Sequence, residues 1–424
     1  MAEVHPFHGI TYNSSKVAVE SVVSPPYQLA FRDVRRDLLR AEPRNAVQFI
    51  VGADAAEYRA SAAQFSTMLR EGVVTRDDEP SFYVIAQSYK DPTGAIRQRM
   101  GVIGLCRLED FSSGDIVPHL KTIPRIREDR FRQIQIMNAN TSPVRATCDN
   151  NSEAFAAVLR SAMAEKQWGE ITLENSIVRM WKIRDRAFAQ NVIDALRGTS
   201  LTIVEGHHSY EAALAYRDMM LLGHPGPDEA FNYIMMCIEE SLSDATILAV
   251  HRTVTPPKPV DWERAALQIV RHFKLRPVES IEQMHLAFAK RTRHMFGMIR
   301  NSGMWLCALV DSSRIEELVG ERVPAETRHT GVVLLHSFFL EHVLGMDVHD
   351  QMRLDCVQYA YSMDEAMTAV EEEKTEVAFI LPPVSPDEIA SAVKGGSLLP
   401  PRATWFFPPL PSGLVMRRID ERVR

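Results

Sequence analysis

Chemistry could be carried by three short stretches of the chain. In TIVEGHHSYEAALAYR (202–217), a carboxylate, a glycine and two imidazoles stand where an apolar strand pattern gives way to a helical one. A helix N-terminus presents unpaired backbone N–H groups and a partial positive charge, and glycine lets a ligand approach the backbone, so the turn at Gly206 could cradle an anion. Glu205 could serve as a general base or face a cation, while His207 and His208 could move protons or donate hydrogen bonds near neutral pH. The structural alternative is a plain turn, with Ser209 as an N-cap and a buried histidine satisfying a carbonyl. A ligand-facing His207 implies that His207→Ala leaves the melting temperature nearly unchanged, whereas a buried one does not.

The second stretch, PHLKTIPRIREDR (118–130), gathers His119, Lys121, Thr122, Arg125, Arg127, Asp129 and Arg130. Guanidinium forks match phosphate oxygens well, although such a run is also what a solvated helix face looks like. The third, SPPYQ (24–28), uses two prolines to stiffen the chain beside Ser24 and Tyr27. The patterns GxxxxGK[ST], GxGxxG, HExxH and GxSxG are all missing, so the P-loop, dinucleotide-binding, zincin and hydrolase-elbow chemistries lack their characteristic supports.

Elements must position these residues. AVQFIVG (46–52) reads as a short strand leading into the helical DAAEYRASAAQFSTMLREGVV, and SFYVIAQSYK and IRQRMGVIGLCRLE flank the turn sequence DPTG as a hairpin. A helix is expected over IREDRFRQIQIMNAN, strands over GEITLE, IVRMWKI and TSLTIVE, and helices over RAFAQNVIDALRG and SYEAALAYRDMMLLG, closed by HPGP. FNYIMMCIEE and ATILAVHRTV read as a further strand pair, and TPPKPV (255–260) as a linker, because clustered prolines favour extended, unpaired backbone. Residues 1–255 and 256–424 are therefore the expected domains, the second mixing helices (DWERAALQIVRHFK, VVLLHSFFLEHVLG, SMDEAMTAVEEE) with strands (DCVQYAY, EVAFILP). The fold class is mixed α/β.

Composition narrows the function classes. With 424 residues, 46% hydrophobic and 24% charged, the chain can bury a large core, and its net charge of -7 gives no general attraction to nucleic acid or anionic membrane. The five cysteines stand singly, without a CxxC pair, which suggests reduced thiols. No apolar run reaches the length of a membrane span, so a cytoplasmic protein without nucleic-acid or membrane partners is expected.

Taken in order, VVSPPYQ, GVIGLCRLED, IVPHLKTIPRIREDR, NANTSPV, IVEGHHSYEAALAYRD, AVHRTV and LPPRATWFFPPLPSGLV resemble the family called domain of unknown function 1015 over nearly the whole chain. That family's glycine–histidine turn is similar to one in the ParB and sulfiredoxin superfamily, which includes free serine kinases. The resemblance implies a ParB/sulfiredoxin-like core followed by a mixed C-terminal region. It further implies phosphoryl transfer between a phosphate donor, such as ATP or ADP with Mg²⁺, and a small hydroxyl metabolite. Carried over by position, Glu205 is the base or metal-facing acid, and Gly206 with the following amides, among them that of Ser209, forms the phosphate cradle. His207 and His208 form a polar wall, and His119, Thr122, Asp129 and Arg130 line the opposite side with Arg252 nearby. Ser24 to Tyr27, His119 to Thr122 and Glu205 to His208 are expected to share one concave site. The chain departs from the pattern at Gln28, Leu120, Ser209 and Pro409, where family members carry Asp, Glu, Arg and Lys, and at Glu205 and Ala403, where Asp and Ser are usual. The second reading is thus a catalytically degenerate relative that binds a ligand or a protein partner.

Overall fold

A computed structural model describes residues 2–27, 29, 32–148, 152–223, 226, 228–289, 294–420 and 423. The chain forms two compact units, the first from residues 1–118, 124–246 and 408–424 and the second from 119–123 and 247–407.

The first unit is built on a mixed sheet of β1 (Val4–His5), β2 (Phe82–Lys90), β3 (Ile96–Arg107), β4 (Ile116–Val117), β5 (Val144–Cys148), β6 (Gly169–Leu173), β7 (Ser176–Ile183), β8 (Leu201–Glu205) and β9 (Tyr233–Glu239). Their order is β4–β8–β5–β9–β3–β2–β7–β6, with β1 on β3. The pairs β8–β4 and β9–β5 are parallel, and the remaining pairs are antiparallel. The hairpin expected around DPTG is β2–β3, and the Asp91 carboxylate closes its turn by accepting from the Thr93 and Ala95 amides. That local bonding is what makes aspartate a turn former.

Helices α1 (Ala55–Arg70), α2 (Pro124–Met137), α3 (Arg186–Leu196) and α4 (His207–Leu221) follow the expected apolar spacing. Asp54 and Asp185 cap α1 and α3 by accepting from the second and third helical amides. One core joins Val84, Val102, Ala146, Ile203 and Met236 of the sheet to Phe188, Val192, Tyr210 and Ala213 of the helices. A second, of Ile85, Ile103, Val178, Met235, Leu414 and Val415, draws the C-terminal segment into the same unit. Each such fully buried aliphatic side chain contributes about 1.5–3 kcal/mol.

Two expectations are corrected. Within AVQFIVG, residues Val47–Ile50 form a single buried helical turn, started by Asn45, whose side chain accepts from the Val47 amide and donates to the carbonyls of Ser21 and Val23. A short apolar run has no periodicity of its own, and this polar anchor decides its conformation. FNYIMMCIEE and ATILAVHRTV do not pair: β9 lies between β5 and β3, and the latter run contributes a strand to the other unit.

That second unit has an antiparallel sheet of β10 (His251–Val254), β11 (Phe273–Val278), β12 (Met295–Arg300), β13 (Gly303–Leu309), β14 (Val357–Ala360) and β15 (Val377–Ile380), in the order β11–β13–β12–β15–β10–β14. Helices α5 (Trp262–Val270) and α6 (Met363–Glu371) belong to it, and so does the proline-rich segment 255–260. The apolar run VVLLHSFFLEHVLG is helical and takes π-helical bonding over Leu335–Val343, burying Leu335, Phe338, Phe339 and Leu340. The expected HPGP turn includes His224, Pro225 and Pro227, which lie outside the described residues. The five cysteines are buried free thiols. Among the described residues, no helix is long and apolar enough to cross a membrane.

Candidate functional site

Strand β8 ends at Glu205 and α4 begins at His207, which leaves Gly206 as the N-cap with φ +92. Such a left-handed residue favours glycine, and a Cβ here would also approach Val144 Cα at 3.2 Å. No side chain caps α4 through this residue, so the first turn of a 15-residue helix meets the strand end with nothing bulkier than a hydrogen on Gly206. Ser209 is therefore not the N-cap considered from the sequence. It is the third residue of the helix and is half-buried, as is His208, while His207 turns inward and is 4% exposed.

A register shift between Ile203 and Glu205 brings Glu205 opposite Arg145 of β5. Arg145, 2% exposed at its side chain, donates through Nη1 to Glu205 Oε2 at 2.7 Å and through Nε and Nη2 to both oxygens of Glu239 on β9, at 2.7 and 2.9 Å. Arg99 of β3 stands 3.8 Å from Glu239 and donates to Gln87 Oε1 of β2 and to the Pro408 carbonyl. The result is a polar row across five neighbouring strands, β2–β3–β9–β5–β8. Burial opposes the Arg145 charge, but Glu239 and Glu205 outweigh it and raise its pKa. For Glu239, burial works upward and the two guanidinium groups prevail, so its pKa is lowered. Gly101 makes room for this row, since a Cβ there would lie 2.9 Å from Cys237 Sγ and 3.1 Å from Glu239 Cγ.

A second polar cluster forms around Arg130 on α2, which is 4% exposed. Its guanidinium lies 3.9 Å over the Tyr27 ring, donates to Tyr58 Oη at 2.8 Å and to Gln133 Oε1 at 3.1 Å, and pairs with Asp129. Burial, assisted by Asp129 and opposed by Arg130, pushes the Tyr58 phenol up to about 12. Gln133 passes the network on to Thr141 Oγ1 at 3.2 Å, the Thr141 carbonyl accepts from the Gly413 amide, and Ser142 Oγ meets Ser412 Oγ at 2.6 Å. Ser24, 1% exposed, exchanges backbone bonds with Ser412. Thus the first unit brings SPPY, the end of NANTSPV and the terminal PSG together with Asp129 and Arg130, and Val144, next in the chain, packs against Gly206. Gln28 lies outside the described residues.

His119, Leu120, Thr122 and Arg252 belong to the second unit. His119 is 0% exposed, bonds Thr404 Oγ1 through Nε2 at 2.8 Å and lies edge-on to Phe406. Thr122 is half-buried, and Leu120 is buried in a bridge with Leu399, where an apolar side chain suits its surroundings. Arg252 is fully buried with its fork closed: Nη1 donates to the Val250 carbonyl, Nη2 to that of Pro401, and Nε to His336. Burial lowers its pKa to about 10. Arg125 and Arg127 lie on the exposed face of α2, Arg127 pairing with Glu211. They are the solvated helix face that the charge run also allowed.

Sequence reasoning did not single out Arg145, Glu239, Arg99 or Tyr58. The available signals were an arginine inside the apolar VRATC and a carboxylate closing IMMCIE, both unusual in strands that are otherwise buried.

Fold and site together define a mixed α/β protein whose first unit carries a glycine-opened strand-to-helix turn backed by buried ion pairs. The chain belongs to the family described as Protein of unknown function (DUF1015), whose profile matches residues 4–330. No curated protein matches it. Among solved structures it is similar at 12% identity to a conserved hypothetical protein from Pyrococcus furiosus, with a TM-score of 0.37 over 73% of this chain and 92% of that one. It is similar, also at 12% identity, to a free serine kinase in complex with AMP (TM-score 0.34, 69% of this chain and 83% of that one). A third likeness at 12% identity is to SbnI with C-terminal truncation from Staphylococcus aureus (TM-score 0.36, 76% and 87%).

Proposed function

We propose that the first unit binds a small phosphorylated metabolite or nucleotide at the turn after β8, and that its chemistry is phosphoryl transfer between a phosphate donor and a small hydroxyl compound. The observation that carries this reading is the left-handed Gly206, which opens the α4 N-terminus beside a carboxylate that is itself held in place. Backbone N–H groups and the helix dipole favour phosphate there. Phosphoryl transfer rests mainly on positioning and charge stabilisation. In this reading the hydroxyl oxygen bonds to phosphorus as the donor's bridging oxygen leaves, and the hydroxyl proton passes to Glu205 or His208. Arg130, already braced by Tyr27 and Tyr58, supplies positive charge on the same unit.

A protein-held Mg²⁺ does not fit these residues. Glu205, Glu239 and Asp129 are each ion-paired with a buried arginine, and among the described residues no group of three or more His, Cys, Asp or Glu gathers as a metal site.

The second reading, ligand binding without turnover, is favoured by the Glu205–Arg145 contact, which occupies one carboxylate oxygen. A thermal-shift panel of AMP, ADP, ATP, pyrophosphate and phosphoserine tests both readings, because a ligand that binds only the native state raises the melting temperature by mass action. Stabilisation by nucleotide or phosphoserine supports the site, and phosphorus NMR of ATP or ADP with serine then separates turnover from binding. A panel that leaves the melting temperature unmoved sinks the proposal.

A further inference from the structure

At one end of the second unit's sheet three neighbouring strands stop together: β12 at Arg300, β10 just before Thr255, and β15 just after Glu376. Between them is a cavity of about 460 Å³ whose lining residues, among them Thr255, Arg300, Ser302, Glu373, Thr375 and Glu376, are all polar or charged. A further feature points to an occupant. The Arg300 guanidinium lies 3.6 Å over the Trp262 ring, and its Nε is shielded from solvent without a hydrogen-bond partner among the described residues. A buried donor left in this way is costly unless something supplies an acceptor. Glu373, just past the end of α6, brings a second carboxylate to the lining, and its φ of +57 is the left-handed turn that closes the helix, with its amide donating to the Val370 carbonyl and that of Lys374 to the Ala369 carbonyl. Trp262 Nε1 also donates to Glu376 Oε1, which fixes that carboxylate beside the guanidinium.

The lining offers both signs of charge and hydroxyl groups, and its second cation, Lys374, is already paired with Glu372. We propose that this cavity binds a small free α-amino acid as its zwitterion, with the ligand carboxylate accepting from Arg300 and its ammonium group facing Glu376 and Glu373. A purely anionic ligand would meet the two carboxylates unfavourably, and a purely cationic one would leave Arg300 unanswered. All of these residues lie in the second unit.

Calorimetric titration of glycine into the intact protein tests it, with acetate and methylamine as probes carrying one charge each. Glycine should bind at least tenfold more tightly than either, and both Arg300→Gln and Glu376→Gln should weaken it at least tenfold, the scale of a lost charge-assisted hydrogen bond. Glu376→Gln keeps an oxygen to accept from Trp262, so it removes charge without removing that bond and decides the matter if Arg300→Gln fails to fold. Gly206→Val should leave glycine binding unchanged. Absence of glycine binding at millimolar concentration, equal affinity in the variants, or acetate binding as tightly as glycine would overturn the assignment.

Discussion

Gly206 and its neighbours show how much a single turn can be asked to do. The strand-to-helix switch, the glycine and the flanking carboxylate were legible from residue order alone, because glycine between an apolar strand and an amphipathic helix has few other uses. The side-chain directions were not legible, since they depend on the helix starting at His207 and not at Ser209 or Tyr210. With the helix begun there, His207 points inward at 4% exposure and His208 and Ser209 stay nearer the surface. A stability-neutral His207→Ala is therefore no longer expected. That variant should lose about 1–3 kcal/mol, from a truncated buried polar ring and the space it leaves. Urea unfolding of His207→Ala beside the parent protein reads this directly, and coincident midpoints would return His207 to a ligand-facing role.

Among elements, the informative feature is the polar row from Gln87 through Arg99, Glu239 and Arg145 to Glu205. The hairpin and most strands could be placed from apolar alternation and turn residues, yet strand order could not, because a buried apolar strand carries little information about its neighbour. Only once β5 lies between β8 and β9 does Arg145 find two carboxylates. Buried ion pairs are weak stabilisers as a whole but expensive to break, since one partner is left charged and dry. Arg145→Ala should accordingly cost about 3–5 kcal/mol by leaving buried Glu239 with only the more distant Arg99, and Arg145→Met combined with Glu239→Met should recover part of that loss. Chemical denaturation of the single and double variants measures it. A loss below about 1 kcal/mol for Arg145→Ala would mean the row is solvated and does not hold Glu205.

For the whole molecule, two units interleaved along the chain were not foreseeable from a proline-rich segment. Residues 119–123 and 408–424 join units formed mostly by other parts of the sequence, and no local composition marks those crossings. The second unit brings a pH dependence of its own. Burial, with Arg252 adding to it, lowers the imidazoles of His251 and His336 from 6.5 to about 3. Their folded pKa values lie below the unfolded one, so between these limits the unfolded chain binds more protons. Stability is complete above about pH 6.5 and falls as the pH drops toward 3, by at most about 1.4 kcal/mol per pH unit for each ring. His251→Asn, which keeps an acceptor for the Leu381 amide, should give a shallower decline between pH 7 and 5 in urea unfolding. An unchanged slope would contradict this cause. The central claim is that phosphate is held by backbone at the β8–α4 turn, and calorimetric titration of AMP into the intact protein and into Gly206→Val addresses it most directly. The account predicts binding to the parent protein that weakens with added salt and falls at least tenfold in Gly206→Val, because a branched side chain at φ +92 disturbs the turn and fills the approach. Equal affinity in a folded Gly206→Val would contradict it.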